Sequence, residues 1–133
     1  GKQMNFHFGV QDMSYLRAGG RCSNVQYILG QILGIKPVIE MKNGLLVATR
    51  KLRGKMERVC ENMVDHLLSA KDINTDEIYL GYTHGLSKEI CERIEEKCRR
   101  DYHVKQVLWF TAGCIISTHS GPGGFGIGAM SEG

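Results

Sequence analysis

Two β-rich segments, Pro37-Val38-Ile39-Glu40-Met41 and Leu45-Leu46-Val47-Ala48-Thr49, stand on either side of Asn43-Gly44. Asn-Gly readily takes the positive φ angles of a type I′ turn, so the stretch is predicted to be a β-hairpin. A hairpin makes its two strands antiparallel neighbours and excludes an all-parallel sheet. Pro37 belongs at a strand start, where its missing amide does least harm.

The segments around the hairpin supply helices to cover a sheet. Met56, Val59, Cys60, Met63, Val64, Leu67 and Leu68 recur at three- and four-residue steps, with Glu57, Arg58, Glu61, Asn62 and Asp65 opposite. That pattern is an amphipathic helix packed on one side. Ser87 is placed to cap another helix, with Ile90, Cys91, Ile94 and Cys98 facing inward and Leu86 stapling onto Cys91. Ser23-Asn24-Val25-Gln26 fits a capping box ahead of an apolar face of Val25, Ile28, Leu29, Ile32 and Leu33. Gly34 and Pro37 stop that helix. A shorter helix opens at Gln11-Asp12, carries Met13 and Leu16, and ends at Gly19-Gly20. Strands are predicted over 6–10, 76–82, 102–110 and 125–130. The fold class is therefore α+β, a two-layer arrangement of an antiparallel or mixed sheet packed with helices.

A chain of 133 residues fits one domain, and we read residues 1–133 as a single unit. The net charge of +3 is mild. Lys51, Arg53, Lys55 and Arg58 are its densest basic group, but Glu57 and Glu61 lie among them, which argues against a nucleic-acid partner. No apolar run reaches the length of a transmembrane span, and the first residues do not resemble a signal peptide. Cys22, Cys60, Cys91, Cys98 and Cys114 form no C-x-x-C pair, which suits reduced, buried thiols and predicts a cytoplasmic location without a metal site.

Chemistry points to two loops. Thr118-His119-Ser120-Gly121-Pro122-Gly123-Gly124 runs into an apolar, glycine-rich end. Amides in such a turn can converge into an anion-binding nest, and the competing reading is a tight turn into a last strand. Arg21 follows two glycines and precedes a helix start, where a guanidinium and main-chain amides can meet a carboxylate or phosphate. Alternatively Arg21 fixes the joint to a carbonyl, and His119 anchors its own loop. The glycine run lacks the Gly-Lys-Ser/Thr of a P-loop. No catalytic triad or carboxylate pair is legible.

Several segments together are similar to one family. Leu16-x-x-Gly19-Gly20-Arg21, Leu33-Gly34-Ile35-Lys36-Pro37-Val38-Ile39, the Asn43-Gly44 hairpin, Arg50-Lys51-Leu52-Arg53 and Ile116-Ser117-Thr118-His119-Ser120-Gly121-Pro122-Gly123 occur in this order in the DegV family. The chain resembles that family from about Phe6 onward. The resemblance implies the C-terminal lipid-binding domain of a bacterial two-domain protein, with the N-terminal domain, its partner in cis, absent from this chain. It also implies a long-chain fatty acid as ligand, bound between the domains.

On that resemblance, Arg21 and His119 hold the carboxylate, while Gly20, Thr118, Ser120, Gly121 and Gly123 support the loop. The family's hydroxyl partners from the first domain have no counterpart here. Arg53 matches an arginine of the segment that meets the catalytic subunit of fatty acid kinase. The kinase would use ATP and magnesium, so this chain is expected to be no enzyme and to carry no cofactor. The Val25–Leu33 helix and the Cys114–Ile116 segment are candidate tunnel walls, with plain core packing as the alternative. Cys114, Ser117 and Ser120 depart from the family pattern.

Two other functions stay open at this level. One is a small phosphate- or anion-binding domain or enzyme built on the glycine-rich loop. The other is a structural fragment without its own ligand, prone to self-association through an apolar face.

Overall fold

A computed structural model describes residues 2–11, 34–42, 44–111 and 123–132. They form six strands and two helices: β1 (Gln3–Gly9), β2 (Lys36–Lys42), β3 (Leu45–Leu52), α1 (Met56–Leu68), β4 (Ile73–Tyr82), α2 (Lys88–Tyr102), β5 (Gln106–Thr111) and β6 (Phe125–Ser131). The strands make one sheet in the order β3-β2-β1-β6-β4-β5. All neighbours are antiparallel except β4 and β5, which α2 connects as a parallel pair. The predicted mixed α+β class is what the chain adopts.

The hairpin is β2–β3. Lys42 pairs with Leu45, and Gly44 takes φ +79°. Val38 pairs with Arg50 but Ile39 with Ala48, leaving Thr49 as one extra residue on β3. Pro37 lies at the second position of β2, and its carbonyl accepts from the Val10 amide at 3.2 Å.

Helix α1 buries the predicted stripe from Met56 to Leu68 in full. Helix α2 starts at Ser87, whose Oγ accepts from the Ile90 amide at 3.2 Å, and Leu86 before it is buried. The two helices are tied by Arg93 to Glu57 at 2.8 Å and by Lys97 to Asp65 at 3.1 Å. Together they cover one face of the sheet, against Val38, Ile78, Leu80, Phe125, Ile127 and Ala129.

Several boundaries differ from the sequence reading, foremost the strand it begins at Tyr102. Tyr102 is instead the last residue of α2, and its hydroxyl donates to Asp65 on α1 at 2.6 Å. His103 then takes a left-handed conformation, φ 55°, and the Val104 amide returns to the Cys98 carbonyl at 3.4 Å. This is a helix stop made without glycine, so the sequence carries no obvious punctuation for it. The strand starts only at Gln106. Strand β4 begins earlier than predicted, at Ile73, because its polar first half still pairs at Ser131 across an irregularity.

Candidate functional site: a glycine-floored aromatic trough

Alternation along a strand assigns each residue to one face of the sheet. A Cβ on Gly9 would stand 2.7 Å from Met63 Sδ, which places Gly9 toward α1 and its neighbour Phe8 on the other side. Gly126 and Gly128 alternate with Phe125, Ile127 and Ala129 of the helix-covered core, and Gly81 follows Leu80 of the same core. The second face therefore presents Phe6 and Phe8 from β1, Gly126 and Gly128 from β6, Gly81 from β4 and Phe110 from β5. It continues into a second cluster of Phe8, Val10, Ile35, Ile39 and Ala48.

Register brings the glycines together. Gly81 pairs with Gly126, Phe8 with Gly126, and Phe6 with Gly128. With no side chains there, the middle of this face is bare backbone between aromatic walls. Phe6 and Phe110 lie over it with ring centroids 5.7 Å apart, and Phe6 and Phe8 are 6.3 Å apart. Beneath and beside the rings is a cavity of about 10 Å³, roughly one water, lined also by Tyr82, Thr83 and Gly124.

The trough ends where the glycine-rich loop enters β6. Thr83 is buried, its Oγ1 accepts from the Gly124 amide at 2.6 Å, and its amide donates to the Gly124 carbonyl at 3.0 Å. The Gly123 amide donates to the His84 carbonyl at 2.8 Å. Gly123 takes φ +74°, with the Gln11 side chain filling the space a Cβ would need. Both described amides of the loop are thus spent on protein acceptors, so Gly123 braces the loop instead of lending its amide to an anion.

Of the residues singled out in the sequence, Gly20, Arg21, Thr118, His119, Ser120 and Gly121 lie outside the described residues, as do the Val25–Leu33 and Cys114–Ile116 segments. The points at which those segments join the fold are described. Gln11, Gly34, Thr111 and Gly123 all stand at the end of the sheet where β1, β4 and β5 finish and β2 and β6 begin. Arg53 stands at that end too. It is exposed at the corner after β3, next to Gly54, whose φ is +105° and whose carbonyl accepts from Lys36 Nζ at 2.6 Å.

The trough residues Phe6, Phe8, Gly81, Thr83, Phe110 and Gly126 escaped the sequence reading. A signal existed in Phe125-Gly126-Ile127-Gly128-Ala129, where glycine at every second position strips one strand face of side chains.

The other side of the sheet holds a polar group. His7 Nε2 lies 3.3 Å from Glu40 Oε1, the Thr49 hydroxyl donates to Glu40 Oε2, and the His7 ring meets His66 of α1 at 6.1 Å. Among the described residues no set of three or more His, Cys, Asp or Glu is placed to hold a metal. No helix among them is long and apolar enough to cross a membrane.

The family model described as "Uncharacterised protein, DegV family" matches residues 1–132. The chain belongs to the DegV family. A DegV domain-containing protein of Caldanaerobacter subterraneus subsp. tengcongensis is 31% identical over 115 residues, covering 86% of this chain and 40% of that protein. A protein of Thermotoga maritima named "Fatty acid-binding protein" is 29% identical over 127 residues, 94% of this chain and 43% of its own length. This DegV chain thus spans about two-fifths of the curated relatives it matches.

Two solved structures share the fold. The fatty-acid-binding DegV protein of Thermus thermophilus aligns with TM-score 0.77 at 24% identity, over 97% of this chain and 46% of the other. The fatty acid kinase B3 protein of Streptococcus pneumoniae, loaded with linoleic acid, aligns with TM-score 0.78 at 18% identity, over 98% and 45%.

Proposed function

We propose that this chain is the lipid-holding part of a DegV protein, and that it binds a long-chain fatty acid and presents its carboxylate to a separate ATP-dependent kinase. The observation that carries the reading is the convergence at one end of the sheet. The Gln11–Gly34 and Thr111–Gly123 connections, which bear Arg21 and His119, both join the fold there, beside the mouth of an apolar trough. An acyl chain needs apolar walls, and its carboxylate needs a cation and a donor at one end. The trough supplies the first, and Arg21 and His119 are the residues we assign to the second.

In this reading Arg21 forms parallel hydrogen bonds to the carboxylate and offsets its charge. His119 donates one more bond and orients the head group, on a loop braced at Gly123 and supported by Gly20, Thr118, Ser120 and Gly121. Arg53, exposed at the same end, is assigned to contact with the kinase. The chain itself performs no bond-breaking step. Relatives described as fatty-acid-binding, one of them a fatty acid kinase protein loaded with linoleic acid, favour this ligand over a phosphorylated metabolite.

Native mass spectrometry of the purified protein, followed by denaturing extraction, tests the assignment. The expected ligand is a saturated or unsaturated long-chain acid of about C14–C18, held between apolar walls. Recovery of a nucleotide or sugar instead would overturn it. Arg21→Ala is expected to cost about 1.5–3 kcal/mol of carboxylate binding, on the scale of a charged hydrogen bond. Unchanged affinity would make Arg21 a structural residue.

A further inference from the structure

We infer that Phe6 and Phe110 are a displaceable plug in the trough, and that this ring pair sets which acyl chains the site admits. The inference rests on the fatty-acid reading above and names the residues that govern its specificity. Strands β1 and β5 are separated by β6 and β4, so at about 4.8 Å per strand their backbones lie roughly 14 Å apart. Two phenylalanine rings reach a centroid separation of 5.7 Å across that gap only by lying down over the intervening strands.

The glycines make that posture available. A Cβ on Gly81 would fall 2.3 Å from Phe110 Cζ, and one on Gly126 would fall 2.8 Å from Phe6 Cζ. A Cβ on Gly128 would fall 3.0 Å from Phe6 Cδ2. The rings rest directly on backbone that carries no side chains. While they do, the remaining cavity of about 10 Å³ has no room for a chain of methylenes.

The consequence is a site with two states. With the rings down, the trough is filled by the protein's own aromatic groups and its apolar surface is protected from water. With the rings turned up about χ1, the glycine floor is open and the rings become walls for an acyl chain laid along it. Both rings are only partly buried. Phe125, by contrast, belongs to the helix-covered core and borders the small cavity without lying over the glycine floor. A fatty acid must displace the rings, and the length and shape that suffice for this are what the pair selects.

The test uses the wild-type protein first. The chain has four phenylalanines, Phe6, Phe8, Phe110 and Phe125, so incorporation of 4-fluorophenylalanine gives four assignable fluorine resonances. Titration with palmitate is expected to shift the Phe6 and Phe110 signals most and Phe125, in the helix-covered core, least. Phe6 and Phe110 signals that stay fixed at saturation would overturn the inference.

Affinities of Phe110→Ala for myristate, palmitate and oleate then measure specificity. Removal of one ring lengthens the open trough, so the preference for the longest or kinked chain over myristate is expected to rise about tenfold, the worth of one or two methylenes in an apolar pocket. A uniform change in all three affinities would refute the role in selection. Should wild type bind none of the acids, the fatty-acid reading itself fails. Should it bind them with the Phe6 and Phe110 signals still, only the plug fails.

Discussion

Replacing Thr83 by valine probes the brace between the end of β4 and the glycine-rich loop. Thr83 is 4% exposed and Gly124 is buried. The hydrogen bonds that join this corner include Gly124 amide to Thr83 Oγ1 at 2.6 Å, Thr83 amide to Gly124 carbonyl at 3.0 Å, and Gly123 amide to His84 carbonyl at 2.8 Å. Valine keeps the side-chain shape and both backbone bonds but deletes the Oγ1 acceptor. Loss of the oxygen takes the side-chain acceptor from the amide of Gly124, a buried residue. A buried donor left without a partner costs about 1–3 kcal/mol. The added methyl returns at most about 0.8 kcal/mol of apolar burial. The net expectation is a loss of about 1–2 kcal/mol.

With a urea m-value of about 1–3 kcal/mol/M for a domain of this size, the unfolding midpoint should fall by about 0.3–2 M at constant m. Thr83→Ser, which keeps the oxygen and loses only the methyl, is the control. Hydrogen exchange separates the two mechanisms: the Gly124 amide should lose protection in the valine variant and keep it in the serine variant. An unchanged midpoint with the Gly124 amide still protected in Thr83→Val would refute the reasoning.

Two further perturbations follow from the helix layer. Burial first, and then the Asp65 carboxylate that accepts from its hydroxyl, push the Tyr102 ionisation up to about 12 from an ordinary value of 10.0. A group held protonated in the folded state stabilises it fully below the unfolded pKa and loses that contribution as pH rises through the folded one. Wild type is therefore expected to lose stability more steeply than Tyr102→Phe between pH 10 and about 12 in urea titrations, and parallel curves would contradict this. Burial also pushes the Cys60 thiol up and the Cys98 thiol up to about 12. The thiolate is the reactive form. Both residues should resist a disulfide reagent near neutral pH in the native protein and react after unfolding; labelling of native Cys60 at the unfolded rate would show that the α1–α2 layer opens freely.

What the sequence carried were the features written in neighbouring residues. The Asn43-Gly44 turn, the α1 stripe and the Ser87 cap each depend on groups within a few positions, where backbone preference and helical or strand period decide the outcome. Those features limited the chain to helices on a sheet that is not all parallel. The helix stop at His103 was illegible because a left-handed residue other than glycine ends the helix there, and no local rule announces it.

Strand order, the parallel pairing of β4 with β5, and the trough belong to the tertiary structure. Phe6 and Phe110 stand near opposite ends of the chain, and only register places both over Gly81, Gly126 and Gly128. The motifs bearing Arg21 and His119 are each readable as anion-binding loops from their own residues. Their relation to one another is a matter of topology, since the sheet brings the anchor points Gln11, Gly34, Thr111 and Gly123 to a single end. Local sequence fixes conformations because the groups that compete are a few bonds apart. A site assembled from four strands depends on hydrogen-bonded register between distant segments, and that information exists only once the sheet has formed.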